Sequence, residues 1–234
     1  MKETAQVTAI PDAFTTLDRI AAERRSVRGF RPDPVPQEVL HRVFQLAGRA
    51  PSNCNAQPWI THVVSGEPLH AMRDRLIANA RAGMLDSDAS YAENPYVGVY
   101  KHRRVGAAVA LFEATGVGRH DTEARGRSMM RNFELFDAPH AAFFFMPRAF
   151  HLHGAADVGM YVQTLMLALT AHGLGSCAQG ALGQQASFVK EALGVDPALM
   201  LLFGLSFGTP DDEHASIAAR TDRAALEEAV VFHG

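Results

Sequence analysis

The chain has 234 residues, which suits one large domain or two small ones, and its 47% hydrophobic and 20% charged content can form a core without disulfides or metals. Lysine plus arginine number 22 against 25 acidic residues, a net charge of −3 that lacks the basic excess of a general nucleic-acid binder.

In chain order, Phe14, Leu17, Ile20 and Ala21 recur three or four apart behind Asp12, predicting an amphipathic helix that ends near Glu23. RRSVRGFRPDPVP follows, and its prolines require extended or irregular backbone. Val39, Leu40, Val43, Phe44 and Ala47 share one face of a second helix. After the polar stretch APSNCNAQPW, ITHVVS reads as a strand and PLHAMRDRLIANA as a helix. The more polar segment at about 81–137 reads as a peripheral insertion of helices and loops. AAFFFM is a strand candidate, and DVGMYVQTLMLALTAH, apolar nearly all round, is a central helix. SCA is a short strand, ASFVKEAL a helix and LMLLFGLSF a buried strand. Uneven alternation of helices and strands predicts an α+β fold, with a mixed central sheet flanked by helices in a single domain over 1–234.

Several chemistries are disfavoured. Gly173-Leu-Gly175-Ser-Cys-Ala178 loosely fits a dinucleotide fingerprint, but a helix rather than a strand precedes it. No P-loop and no G-x-S-x-G elbow occurs. His102, His151 and His153 lack the i, i+4 spacing of a helical zinc pair and read as surface histidines, so no metal is expected. Cys54 and Cys177 form no CxxC pair and read as reduced thiols of a cytoplasmic protein. The N-terminus has no apolar signal segment, and the uncharged run from Val158 to Val189 is too interrupted to span a bilayer.

Three segments suit one anionic, planar ligand with a polar edge. If Arg24-Arg25-Ser26-Val27-Arg28 is extended, Arg24, Ser26 and Arg28 project from one face, an arrangement fit for a phosphate. Taken alone, the same cluster reads better as a solvated basic helix end. Pro51-Ser52-Asn53-Cys54-Asn55-Ala56-Gln57 offers amide donors and acceptors to a uracil-like edge, or a capped turn before a strand. Gly180, after Gln179, allows close backbone approach and an unshielded N–H, or is a loop glycine requiring positive φ.

In combination and order these motifs resemble the nitroreductase family of FMN flavoproteins. RRSVRGF, the intact PSNCNAQPW, GLGSCAQGAL after the long helix, and the closing GLSFGTP and ARTDRAAL carry the resemblance, which runs from about Leu17 to Val231. RNFELFDAP and the paired arginines of YKHRR are similar to the members that reduce nitroaromatic compounds. The resemblance implies an intertwined homodimer. It implies that Arg24, Ser26 and Arg28, with Arg25 beside them, hold the FMN phosphate, ribityl chain and pyrimidine edge. Arg223 matches a phosphate-binding arginine, with Arg220 as companion. Pro51, Ser52, Asn53 and Asn55 would reach the flavin from the partner subunit, and Gln179 and Gly180 would lie beside N5, with the Gly180 N–H as donor. Some members carry an acidic residue at the Gln179 position.

The implied reaction is ping-pong transfer of hydride from NADH or NADPH through the flavin to a small, planar, electron-poor nitroaromatic or quinone. Arg28 would stabilise negative charge on the reduced pyrimidine edge, and no catalytic acid–base side chain is demanded. The insertion would be a lid, with Tyr91, Tyr96, Tyr100, Phe133 and Phe136 as candidate lining residues; for any one of them, ordinary helix packing is the preferred reading. The alternatives are another flavoenzyme on the same scaffold, dehalogenating or ring-oxidising, and a non-catalytic flavin-binding protein.

Overall fold

The computed structural model describes residues 12–89 and 95–234. Its helices are α1 (Asp12–Glu23), α2 (Gln37–Ala47), α3 (Gly66–Arg81), α4 (Gly98–Ala114), α5 (Thr122–Met130), α6 (His151–Ala171), α7 (Ala186–Leu193) and α8 (Leu226–Ala229). Its strands are β1 (Ile60–Ser65), β2 (His140–Pro147), β3 (Gly175–Gln179) and β4 (Leu199–Gly208), and they form one sheet in the order β1-β2-β4-β3. All three strand pairings are antiparallel. Parallel pairing is confined to isolated bridges, Ser26 with Ser176 and Asp86 with Gln185.

Strand β2 explains the layering. Every residue from His140 to Met146 is buried, and side chains alternate across the sheet. Ala142, Phe144 and Met146 pack with Leu40 and Val43 of α2 and Val158, Val162, Leu165 and Leu169 of α6. Ala141, Phe143 and Phe145 pack on the other face with Leu69, Met72 and Leu76 of α3 and Val189 of α7. The sheet is therefore sandwiched between helical layers, the α+β arrangement expected from the sequence. None of the described helices is long and apolar enough to cross a membrane.

The first helix forms where its periodicity predicts, yet buries nothing within the single chain: Phe14 and Leu17 are 58% and 54% exposed. Helices α4 and α5, in the segment expected to be an insertion, also contain no buried residue. Of the aromatic lining candidates there, Phe133 belongs to the core beneath the sheet and Phe136 is buried, whereas Tyr96 and Tyr100 are exposed under Arg104 and Arg103. Tyr91 lies outside the described residues.

His140 fastens the extended segment after α1 to the sheet. Its Nε2 accepts the Val35 N–H at 2.8 Å, so the ring proton sits on Nδ1 and is donated to Ser65 Oγ at 2.5 Å. The ring stacks on Phe207 at 5.2 Å. Burial lowers its pKa, so the folded protein resists a proton that the unfolded chain takes up near the ordinary histidine value of about 6.5. Stability from this group is thus fully present above that value and is lost as pH falls below it. His140→Leu leaves the Val35 N–H unpaired and is expected to cost about 1–3 kcal/mol near neutral pH. Urea unfolding should also show a smaller stability loss in the variant than in the wild type between about pH 7.5 and about pH 5.5. Equal losses would remove His140 as the titrating group.

Candidate functional site

Immediately after α1 the chain extends along the outer edge of β3, where the Val27 N–H donates to the Ser176 carbonyl at 3.0 Å. Val27 points inward and is buried, so Arg24, Ser26 and Arg28 face away from the core. Far along the chain, the turn Ala215–Ala218 delivers a second extended segment to the same place. Together they line a cavity of about 250 Å³ with Arg24, Arg25, Ser26, Arg28, Arg220, Thr221 and Arg223. Ala107 and Leu111 of α4 form its wall.

The charge distribution is one-sided. Among the described residues, none of the five guanidinium groups pairs with a carboxylate. Arg223 is steadied by carbonyl oxygens, donating to Thr221 O at 3.1 Å and Asp222 O at 3.0 Å, and Arg220 donates to Ala219 O at 3.0 Å. Burial, then the charge of Arg223, holds Arg24 below the usual arginine range. Burial, then Arg220, does the same to Arg25, against a smaller opposing pull from Asp212. Such crowding is relieved by an anion, and forked donors beside two hydroxyls match a phosphate monoester. A small cavity of about 70 Å³ adjoins at Arg28 and is lined also by Asn132 and Phe136.

The structure gathers six of the sequence-predicted residues in one place: Arg24, Arg25, Ser26, Arg28, Arg220 and Arg223. Pro51, Ser52, Asn53 and Asn55 do not line this cavity. They belong to a tight turn against α6 in which Cys54, Asn55 and Gln57 have φ of 51°, 55° and 50°. None is glycine, and left-handed backbone of that kind costs on the order of 1–3 kcal/mol per residue. A second left-handed run, Leu135 to Asp137, falls in RNFELFDAP.

Gln179 behaves differently from Gly180. Its side chain is buried, accepts from Ser206 Oγ at 2.5 Å and donates to the Asn132 carbonyl at 2.7 Å. Gly180 is exposed, and no heavy atom lies within 4 Å of where a Cβ would stand. The strand end thus offers backbone at Gly180 while the Gln179 amide binds the base of the insertion.

Thr221 and Asp157 were not singled out by sequence. Thr221 lies between two arginines already noted. Asp157 is the single acid of α6, and a lone carboxylate in a helix otherwise suited to the core is itself a signal.

Comparison with known proteins gives a consistent assignment. The sequence model described as "Nitroreductase family" matches residues 21–209. The chain is 39% identical over 221 residues to nitroreductase NfnB of Mycolicibacterium smegmatis, covering 94% of each chain. It is 31% identical to a 4-nitrobenzoate reductase of a Nocardioides species, covering 96% of this chain and 92% of that one. The solved structure of FMN-dependent NfnB from Mycobacterium smegmatis in complex with NADPH superposes with a TM-score of 0.92, covering 95% of this chain and 100% of that one at 39% identity. The chain belongs to the nitroreductase family.

Proposed function

We propose that this chain is an FMN-dependent oxidoreductase that carries hydride equivalents from NADH or NADPH to nitroaromatic or quinone acceptors by a ping-pong mechanism. The observation that carries the reading is the cavity of five guanidinium groups, none with a carboxylate partner among the described residues. The two relatives matched over nearly their whole length are a nitroreductase and a 4-nitrobenzoate reductase, and the superposed structure is of an FMN-dependent nitroreductase in complex with NADPH.

When bound, FMN supplies the two-electron chemistry that no side chain here provides. The protein's part is binding and orientation. Arg24, Arg25, Ser26, Arg220 and Arg223 hold the phosphate and its adjoining chain. Arg28 lines both the phosphate cavity and the adjoining one, where its charge suits the pyrimidine edge. Gly180 contributes its N–H, with the Gln179 side chain withdrawn.

The working unit is a homodimer. Phe14 and Leu17 of α1, with Leu152 and Met160 of α6, leave apolar surface exposed in the single chain. Residues 51–55 of a second copy supply the amide edge that this cavity lacks. The insertion is the lid, because α4 and α5 bury nothing while α4 walls the cavity. Two free cysteines fit the reducing cytoplasm.

Arg24→Ala should weaken FMN binding by about 1.5–3 kcal/mol, the worth of a hydrogen bond to a charged group. Flavin fluorescence titration measures this, and unchanged affinity would reduce the cluster to a solvated helix end. One flavin face admits one planar molecule at a time, so donor and acceptor alternate, and double-reciprocal plots should be parallel. Intersecting lines refute the mechanism, and reduction by nicotinamide without reoxidation by any nitroarene or quinone refutes the acceptor class. Sedimentation should show a dimer, since obligate apolar interfaces exceed about 2,000 Å². A stable flavin-bound monomer contradicts this.

A further inference from the structure

The amide turn before β1 is shaped partly by itself and partly by α6. Within it, Asn55 N–H donates to Ser52 O at 3.0 Å, Ala56 N–H to Asn53 O at 3.0 Å, and Gln57 N–H to Ser52 Oγ at 2.9 Å. These bonds define its shape but do not attach it to anything.

Attachment comes from one face of α6. Asp157, only 4% exposed, places both carboxylate oxygens 3.2 Å from the Asn53 N–H. One helical turn later, Tyr161 stacks on Trp59 at 4.9 Å with the rings 14° apart, and its hydroxyl accepts from Thr61 Oγ1 at 3.4 Å. The helix therefore grips both ends of the segment that presents Asn53 and Asn55. Asp157 has no basic partner among the described residues, and the Asn53 N–H is its only hydrogen-bond donor there. A buried carboxylate is costly wherever packing alone is required, so its presence calls for a task that an apolar residue cannot perform.

We propose that Asp157 is a positioning residue for the cofactor: by accepting the Asn53 N–H it fixes the left-handed turn in the form that presents Asn53 and Asn55 to the flavin of the second copy. This rests on the reading above that residues 51–55 reach FMN across a dimer interface. Asp157 acts only through the turn, so its removal and the removal of Asn55 should affect one quantity, and not independently.

The experiment uses the full-length protein with FMN as the probe. Affinity is measured by fluorescence titration for wild type, Asp157→Ala, Asn55→Ala, the double variant and Asp157→Asn. Amide exchange at Asn53 is followed in parallel. Asp157→Ala should weaken FMN binding about tenfold, and the double variant should be no weaker than the worse single one, because the residues act as one unit. Asp157→Asn keeps one acceptor oxygen and should restore affinity to within about threefold of wild type. The Asn53 amide should exchange slowly in the wild type and faster in Asp157→Asn.

Additive losses, no recovery in Asp157→Asn, or an Asn53 amide that exchanges as fast as its exposed neighbours would overturn the proposal. If Asp157→Ala does not fold, the FMN affinities of Asp157→Asn and Asn55→Ala, read beside the Asn53 exchange, decide it. A wild type that takes up no FMN removes the flavin reading itself. FMN binding unaffected by Asn55→Ala removes the cross-interface reading. Unchanged affinity in Asp157→Ala beside a weakened Asn55→Ala removes this proposal alone.

Discussion

Sealing both faces of β2 is the constraint from which the rest follows. With residues 140–146 buried on either side, the centre of the sheet has no room for a ligand, and recognition is displaced to its margin. The margin used is β3, an edge strand of only five residues. Its outer side is lined by the segment carrying Arg24, Ser26 and Arg28, and its end presents Gly180. An edge that would otherwise expose unpaired backbone is thereby covered by the residues that make the site.

Two kinds of unfavourable energy accompany this arrangement. One is the mutual repulsion of five guanidinium groups, none of which pairs with a carboxylate among the described residues. The other is left-handed backbone at non-glycine residues, concentrated in the amide turn and in Leu135–Asp137. The first adds nothing to the packing of the core, whereas the second seats Leu135 and Phe136, both buried, within it. Both are borne by a scaffold whose stability resides in the sheet and its two helical layers.

Local patterns made much of this legible in the sequence. Alternation gave the outward set Arg24, Ser26 and Arg28, the 3.6-residue period gave α2, and unbroken apolar runs gave β2 and α6. Arg25 was harder to read, because the cavity wraps around the extended segment and takes in a side chain that strict alternation assigns elsewhere. The inward turn of Gln179 has a simple cause, since it shares a face of β3 with buried Cys177. The antiparallel sheet pairs residues from 25 positions apart, Gln179 with Gly204, to 85 apart, Ile60 with Phe145, and the grip of Asp157 on Asn53 spans 104, so no short window carries their signal. The apolar stripe on α1 is legible from its spacing, but no residue of that helix is buried among the described residues, and a sequence pattern does not say what covers it.

The inward Gln179 amide also restricts how the electronics of this site can be tuned. A carboxylate there would still accept from Ser206, but it would set an oxygen against the Asn132 carbonyl where the amide now donates. An engineer wishing to lower the reduction potential by adding negative charge at this position would unpin the foot of α5 in the same stroke. On the function proposed above, the electrochemical adjustment is better sought in the arginines than at the end of β3.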